Sequence, residues 1–591
     1  MDVVLTIIDT AGIQNYIFGS NRLRENIGAS FLVEQATREW VYEELDELGE
    51  HNVSKAARKG AERRIDHSKK IESGELTAEL VYAGGGNTTI LFRCPDEGDP
   101  KKDARSFAWN LSTRILRSAP GLEVIIKHSE PFPWDPKGQD LYGQVNTLRD
   151  EQLAQKKRTR QAALTPLLGL GVTAECESTG LVAAERSKPS LEPEPRLVSR
   201  EILEKLENRD EAQARLEDII SEVEERDRYR FPDELDHLGR VGGEESYLAI
   251  VHIDGNAMGS ILSARGDTAT NNRDYIEKVR TLSEGIDESS RRAIAAMFKK
   301  LISCIEEPRE KSKGGKNVWT LTEAKQGKEA KQGKMDAGQL KQFNLFQDPK
   351  KQKPEDKRPC WPIIPLVYGG DDVTFVCNGQ LGLSLANIYM NEFAEQTAKL
   401  CAERIQTGAG VAIVKVHYPF RRAYQLSEAL TKSAKRFIGH KQDKLQYSAI
   451  DWHISMTGLS GNLGSIRKQE YETGEGTLLM RPVWLDHAED WRTLENFNLL
   501  VATFNFQEGW AERRSKLKTF REALRGGVGS VQEFLQINNL KLPVLDLSRP
   551  DIHEKGWVGD ARDEKSHCVY FDAIEAMDHH LLLEDVTDGN S

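Results

Sequence analysis

Two adjacent carboxylates, Asp371 and Asp372, lie between apolar runs in the segment IPLVYGGDDVTFVCNG, residues 364 to 379. The flanking runs are rich in β-branched residues, as central strands of a sheet are. The preceding glycines, Gly369 and Gly370, allow a ligand or another backbone segment to approach closely. Two carboxylates held together repel each other unless a cation neutralises them, and oxygen-only ligands favour Mg²⁺ or Mn²⁺. The segment therefore predicts a divalent-cation site at the tip of a β-hairpin.

A third carboxylate, Asp254, closes an apolar run in SYLAIVHIDGNAMGSIL, residues 246 to 262. In a β-α-β-β-α-β sheet this first strand lies beside the central hairpin, so Asp254 is expected near the hairpin tip. Three carboxylates can hold one or two cations that bind a triphosphate, activate a ribose hydroxyl and stabilise displacement of pyrophosphate. That is polymerase or cyclase chemistry. The alternative is a solvated Asp pair in an ordinary turn, which the nearly continuous apolar flanks argue against.

Basic residues that could meet the phosphates occur in LTKSAKRFIGHKQDK, after a later apolar run. Lys432 and Lys435 share one face of a predicted helix, and so do Lys432 and Arg436. The same pattern is typical of an amphipathic helix with a solvated basic face. Phosphate binding and a solvated helix face therefore both stay open.

The elements that must position these residues follow the order β-α-β-β-α-β, the ferredoxin-like pattern. This order occurs at about residues 1–135, the first repeat, and again at residues 246–485, the second repeat. The recurrence predicts an internal duplication. The hairpin tip reads GGGN (Gly84 to Asn87) in the first repeat and GGDD (Gly369 to Asp372) in the second. Because only the second tip is acidic, we expect the two repeats to face each other across one shared nucleotide site.

The remaining segments are predicted to be helical or mobile, which gives an α+β fold overall. Residues 136–245 form a mostly helical region between the two ferredoxin-like repeats, and residues 486–591 form a C-terminal helical domain. Residues 308–358 form a basic insert with the tandem EAKQGKEAKQGK, predicted to be mobile because its composition cannot bury a core. A lysine-rich arm that contacts nucleic acid is the alternative interpretation.

The bulk composition excludes several classes of protein. A formal net charge of −12 argues against a nucleic-acid coat protein, although local basic surfaces remain compatible with it. The seven cysteines include no CxxC pair, so no zinc is expected, and reduced thiols fit the cytoplasm. No apolar window approaches the length of a membrane span. We expect a soluble, cytoplasmic protein with no membrane association.

Several segments together resemble the large signature subunit of type III CRISPR effector complexes, which carries two palm domains, one of them with a GGDD motif. These segments are IQNYIFGSNRLRENIGAS, HIDGNAMG, YGGDDVTF, LSEALTKSAKR, SAIDWHISM and RRSKLKTFREALRGG. They extend over nearly the whole chain, except residues 136–245 and the basic insert. The family's palm domains resemble those of GGDEF diguanylate cyclases and class III nucleotidyl cyclases.

The resemblance implies a function in prokaryotic antiviral defence and a role for individual residues. The family converts ATP to cyclic oligoadenylate when target RNA is bound to the complex. ATP would be the substrate, Mg²⁺ or Mn²⁺ the cofactor, and effector subunits, crRNA and target RNA the partners. Asp371 and Asp372 would be catalytic and bind metal, with Asp254 as a supporting ligand. Nucleotide-binding positions would be Ser30, Gly84, Gly85, Gly86, Asn87, Gly369, Gly370, Lys432 and Lys435.

The sequence departs from the family pattern in three ways. It starts with the first repeat rather than with an HD nuclease domain and contains no His-Asp dipeptide, so cleavage of single-stranded DNA is not expected. Only Cys176 lies where relatives often have a zinc site between the palms. Asn256 replaces the second Asp of a common Asp-Gly-Asp motif, which removes one charge from the predicted metal site.

Two other functions stay open at this point. The chain could be a non-catalytic, RNA-binding scaffold subunit of a CRISPR ribonucleoprotein. It could also be a stand-alone signalling cyclase outside any crRNA complex, in which case it could form a homo-oligomer. The intact GGDD favours an enzyme, because a scaffold has no reason to keep paired buried charges.

Overall fold

Both repeats fold as sheets with the predicted topology, so the α+β fold class is confirmed. The structure is a computed structural model that describes residues 1–54, 63–163, 171–188, 192, 194–238, 246–307, 319–322, 342–347, 357–439, 445–455, 461–487, 490–506, 510, 514–545, 552, 555–560 and 565–583. None of the helices in these ranges is both long enough and apolar enough to cross a membrane.

The first repeat is a ferredoxin-like sheet whose strands run in the order β2-β3-β1-β4, with the short β5 beside β1. Its elements are β1 (Asp2–Ala11), α1 (Ile13–Phe18), α2 (Leu23–Glu34), α3 (Trp40–Leu48), β2 (Ala78–Gly84), β3 (Asn87–Arg93), α4 (Lys102–Ser118), β4 (Glu123–His128) and β5 (Phe132–Pro133). A π-helical turn, Gln35–Glu39, joins α2 to α3. The central strand β1 is almost wholly buried, as its apolar run VVLTII requires.

The region between the repeats is mostly helical, as predicted, and packs against the first repeat. Its elements are α5 (Leu141–Asn146), α6 (Ala154–Ala163), the short strands β6 (Glu185–Arg186) and β7 (Leu197–Val198), α7 (Arg200–Glu207) and α8 (Arg209–Ile219). Helices α7 and α8 pack against α2 of the first repeat. The approach is close, because a Cβ on Gly28 would lie 1.8 Å from the backbone oxygen of Lys205. This region therefore supports the first repeat from outside.

The second repeat has the same core order and is extended at one edge, giving β12-β13-β8-β14-β15-β16. Its elements are β8 (Tyr247–Gly255), α9 (Met258–Asp267), α10 (Asn272–Cys304), β12 (Ile363–Val367), β13 (Asp372–Asn378), α11 (Gly382–Leu400), β14 (Thr407–Lys415), α12 (Phe420–Ile438), β15 (Ala449–Ile454), α13 (Leu463–Tyr471) and β16 (Val483–Trp484). Strand β8 lies at the centre, between β13 and β14. Asp254 is therefore on the strand next to the GGDD hairpin, as the fold order predicts.

The basic insert, residues 308–358, contains short strands that the sequence analysis did not predict. Strands β9 (Ile305–Glu306), β10 (Thr320–Thr322) and β11 (Gln342–Asn344) form a small antiparallel sheet. Leu321, Phe343 and Leu345 are buried and join the main core, so these apolar residues anchor the two ends of the insert. The prediction for residues 308–318, 323–341 and 348–356 lies outside the described residues.

The C-terminal region is helical, as predicted, but also contains a β-hairpin that the sequence analysis missed. Its elements are α14 (Leu494–Phe506), α15 (Arg514–Arg525), α16 (Val528–Asn538), β17 (Trp557–Asp560), β18 (Lys565–Cys568) and α17 (Phe571–Ala576). The fully buried Arg481 of the second repeat pairs with Asp572 and Glu575 of α17. This ion-pair cluster joins the C-terminal region to the second repeat.

Candidate functional site

The two hairpin tips meet through glycine backbone. A Cβ on Gly370 would lie 3.6 Å from the Cα of Gly85, and a Cβ on Gly85 would lie 4.0 Å from the backbone oxygen of Gly369. Gly370 has a φ of 106°, a conformation that residues with a side chain rarely adopt. The repeats therefore face each other at their tips, as the sequence analysis predicts.

The two tips are also equivalent in strand register. Asp254 lies opposite Asp372 in the second repeat, and Asp9 lies opposite Asn87 in the first. The first repeat thus keeps an aspartate at the position of Asp254. Sequence reasoning missed Asp9, although it closes the run TIID as Asp254 closes HID.

Asp371 occupies a confined, half-buried position between the hairpin and β8. Burial, followed by the charges of Asp254 and Asp372, raises the pKa of Asp371 to about 6. Gly255 donates its backbone N–H to the backbone oxygen of Asp371 at 3.0 Å. A Cβ on Gly255 would lie only 2.8 Å from the Cβ of Asp371. Gly255, which the sequence analysis did not single out, therefore makes the space for this carboxylate.

Asp372 begins strand β13 and has one buried oxygen without a hydrogen bond. Within the described part of the chain, its Oδ1 accepts no hydrogen bond, although the Nδ1 atom of His252 lies 3.1 Å away. Burial lowers the pKa of His252, but the charges of Asp372 and Asp254 outweigh it and raise that pKa above its ordinary value. Asp372 thus concentrates negative charge at the tip.

Asp254 is paired with a lysine. The Nζ atom of Lys435 donates to Asp254 Oδ2 at 2.6 Å and to the backbone oxygen of Gly255 at 2.7 Å. Lys432, three residues earlier on α12, is exposed and pairs with Glu428 on the same helix. The structure therefore brings Lys435 to the predicted site and leaves Lys432 on the solvated helix face.

The donor set suits a hard divalent cation, although the three carboxylates are not assembled around one point. Among the described residues, no three His, Cys, Asp or Glu side chains are arranged as a metal cluster. The tip nevertheless offers carboxylate oxygens as donors, one of them a buried oxygen of Asp372 without a hydrogen bond, and mutual repulsion at Asp371. Mg²⁺ and Mn²⁺ fit such a site.

Two cavities flank the tips. The Ser30 cavity, about 460 Å³, is lined by Ser30, the glycines Gly84, Gly85 and Gly86, Gly369 and Asp372, among others. The Asn87 cavity, about 640 Å³, is lined by Gly84, Gly85, Asn87, Gly370 and Asp371, among others. The adjacent carboxylates Asp371 and Asp372 thus open onto different cavities, which share the glycine tips as a common wall.

Charged residues that the sequence analysis missed line the Ser30 cavity. Arg38, in the π-helical turn, places its Nη1 atom 3.5 Å from Oδ2 of Asp287 on α10. Arg215 of α8 pairs with Glu34 and lies over the Tyr368 ring, 4.6 Å from its centroid. These residues come from helices of three regions, and only tertiary packing brings them together, so no local motif could have indicated them.

A comparison with known protein families shows what the second repeat is similar to. Residues 247–445 match the family model described as Cas10/Cmr2, second palm domain. The second repeat therefore resembles a Cas10/Cmr2 palm. The match confirms the resemblance to the large subunit of type III CRISPR effector complexes. Asp254, the GGDD tip and Lys435 all lie within the matched residues.

The solved structures to which the chain is similar include three of the Csm1 type. They are the apo Csm1–Csm4 cassette (13% identity, TM-score 0.48, 97% of this chain and 69% of that chain), the Csm1–Csm4 cassette in complex with cA4 (13%, 0.46, 97% and 69%) and Csm1 of T. onnurineus (13%, 0.46, 97% and 68%). No curated protein matches the sequence significantly.

Proposed function

We propose that this chain converts ATP to a cyclic oligoadenylate as the large subunit of a type III CRISPR-like antiviral effector. One observation carries the proposal: a Cas10/Cmr2 palm presents Asp371 and Asp372 at a tip that meets the glycine tip of the first repeat. The two carboxylates border separate cavities. Such a site suits the joining of two nucleotides, one in each cavity.

The cavities have the size of small-ligand sites, and their walls differ in chemistry. The Ser30 cavity brings the hydroxyl of Ser30 and the guanidinium groups of Arg38 and Arg215 to one nucleotide. Guanidinium groups bind phosphate oxygens in a bidentate manner. Because glycine has no side chain, the nucleotides can lie directly against the backbone of the two tips. The triphosphate would therefore be positioned mainly by residues of the first repeat and α8.

Asp371 and Asp372, with Asp254, would hold Mg²⁺ or Mn²⁺, which would supply Lewis-acid stabilisation of the charge that develops in phosphoryl transfer. Asp371 is held in place by the strand end at Gly255. Lys435 lies beside Asp254 and would bring a positive charge to the phosphates. Binding of target RNA through partner subunits would activate the reaction.

The test is incubation of the purified chain with labelled ATP and Mg²⁺ or Mn²⁺, with and without RNA, followed by mass analysis of the products. We expect a cyclic adenylate product that disappears in the Asp371→Asn, Asp372→Asn variant. Lys432→Ala is the matched control, since Lys432 is exposed and pairs with Glu428 of its own helix. A product that persists in the double variant would mean that the chemistry lies elsewhere. A folded wild-type chain that binds RNA but yields no product under any condition would favour a scaffold.

A further inference from the structure

We infer that Lys435 is the resident counter-ion of Asp254, which a divalent cation must displace, and that Lys157 is its permanent counterpart in the first repeat. The inference deepens the proposed function and rests on it for the role of the metal. It concerns what limits cation binding at the second repeat and why the first repeat needs no cation.

In the second repeat, Lys435 is held in position along its whole length. Its Nζ atom contacts Asp254 Oδ2 and the backbone oxygen of Gly255. Its methylene stem crosses strand β14 at Gly408, where an added Cβ would lie 2.6 Å from Lys435 Cγ. Gly408 is also the register partner of Asp254. The glycine therefore leaves a channel through which the lysine reaches the carboxylate.

The first repeat contains the same pair, built from a different element. Asp9 occupies the register position of Asp254, and its Oδ2 lies 2.6 Å from the Nζ atom of Lys157. Lys157 belongs to α6, between the repeats, whereas Lys435 belongs to a helix of its own repeat. The duplicated carboxylate thus has a lysine partner in both copies, although the two lysines are not equivalent in sequence.

The two lysine–aspartate pairs differ in the net charge of the hairpin tip that surrounds them. In the first repeat, Asp9 lies beside the neutral Gly86 and Asn87, so Lys157 neutralises the whole tip. In the second repeat, Lys435 pairs with one carboxylate of three, while Asp372 faces only the imidazole of His252 at 3.1 Å and Asp371 adds a further carboxylate. The excess negative charge attracts a divalent cation to the second tip alone. A cation that bound Asp254 Oδ2 would compete with Lys435 for the same oxygen.

This competition predicts that nucleotide and cation help each other to bind. A triphosphate offers the displaced ammonium of Lys435 a new anionic partner. A bound triphosphate therefore lowers the free energy needed to separate Lys435 from Asp254. By linkage, the cation raises nucleotide affinity by the same factor. Lys435 would therefore be a positioning residue that couples the arrival of the cation to the arrival of the nucleotide.

The test measures Mn²⁺ binding by electron paramagnetic resonance, first without nucleotide. Lys435→Met should bind Mn²⁺ about tenfold more tightly than wild type, within the usual range of coupling between sites. Lys435→Arg, which keeps the charge, should stay near wild type, and Lys157→Met should leave Mn²⁺ affinity unchanged. Adding a non-hydrolysable ATP analogue should increase Mn²⁺ affinity in wild type and much less in Lys435→Met. Unchanged or weaker Mn²⁺ binding by folded Lys435→Met would overturn the inference.

The first repeat is tested by stability. Lys157→Met should lower the melting temperature, because Asp9 is largely buried and would lose its counter-ion. The double variant Asp9→Asn, Lys157→Met should recover most of that loss, and failure to recover it would contradict the pairing. Product formation is recorded separately. Product without the Mn²⁺ effect would refute this inference alone, whereas the Mn²⁺ effect without product would refute the proposed function alone.

Discussion

At the scale of single residues, the surroundings of Asp371 are unfavourable for the stability of the folded protein. Burial and the charges of Asp254 and Asp372 both disfavour its ionised form, as its raised pKa indicates. A backbone hydrogen bond at Asp371 and the charge of Lys435 oppose this shift without cancelling it, and Gly255 holds Asp371 close to β8. The carboxylates at this tip are therefore a local cost to stability that a bound cation would offset.

The first prediction follows from this cost. Asp371→Ala with Asp372→Ala should leave the fold intact and raise the melting temperature measured without divalent cation, because the repulsion is removed. Mg²⁺ with ATP should stabilise wild type, as ligand linkage requires, but not the double variant. Thermal melts of both proteins, each with and without Mg²⁺–ATP, provide the comparison. Equal stabilisation of both proteins would place the nucleotide–metal site away from this tip.

A second prediction concerns His453, whose side chain is buried in the second repeat. Burial, followed by the charges of Arg481 and Arg467, lowers the pKa of His453 to about 3. Between pH 6.5 and 3 the unfolded chain binds a proton that the folded chain does not, so stability falls as pH falls through this range. Melting temperatures at pH 7.5 and 5 should therefore differ more in wild type than in His453→Gln. The exposed His417→Gln variant controls for loss of a histidine, and equal slopes in wild type and His453→Gln would contradict the prediction.

The carboxylates and glycines of the tips could be predicted at this scale because strand order alone places them together. The sequence could not show which of Lys432 and Lys435 reaches the site, since helical spacing does not reveal which face of α12 packs toward β8. Arg38 and Asp287 were missed because their proximity depends on how α10 packs against the π-helical turn. Local patterns thus indicate what a strand or hairpin presents, but not what two helices bring together.

At the scale of elements, helix α10 joins the repeats through a buried ion-pair cluster. Arg280 on α10 is almost completely buried and donates to Glu79 Oε1 at 2.8 Å and to the backbone oxygen of Val81 at 3.1 Å. Arg273, two turns earlier, also pairs with Glu79 at 2.6 Å. The same helix carries Asp287 into the Ser30 cavity. It therefore connects the contact between the repeats with the wall of the proposed nucleotide site.

A third prediction tests this connection. Arg280→Met should destabilise the protein by about 3 kcal/mol, since it removes one partner of a buried ion pair and leaves backbone acceptors unsatisfied. Arg292→Met, on the exposed face of the same helix, should change stability by less than about 1 kcal/mol, although it also loses a 2.6 Å ion pair with Glu288. Chemical denaturation measures both variants. Similar losses in the two would contradict a special role for the buried cluster.

At the scale of the whole molecule, the duplication and the order of the regions could be predicted, because hydrophobic periodicity repeats along the chain. The packing of α7 and α8 against α2 could not, since their charged sequence is equally typical of a solvated helix. The small sheet at the insert was also missed, because strands as short as Thr320–Thr322 leave almost no periodic signal. Both features belong to segments whose structure depends on the surface that they cover.

The fourth prediction uses that small sheet. Thr322 and Gln342 are register partners in the β10–β11 ladder, so an Asn-Gly turn can replace residues 323–341 without separating the strands. ATP conversion should stay within about a few-fold of wild type, because Leu321 and Phe343 keep their places in the core. Affinity for RNA and its salt dependence, measured alongside, would reveal any contribution of the lysines. Loss of ATP conversion in a folded variant would show that the removed segment belongs to the site.

Because the two glycine tips are in contact, substitutions of side chains and of backbone-determining glycines in the first repeat have different effects on the second. Carboxylates can be lost from the first tip without affecting the chemistry of the second, since Asn87 and Gly86 carry no charge to be matched. The backbone at Gly85 cannot change so freely, because it lies against Gly370 and forms a wall of both cavities. A substitution at Gly85 would therefore reshape both cavities through the backbone alone, without changing any charge at the second tip.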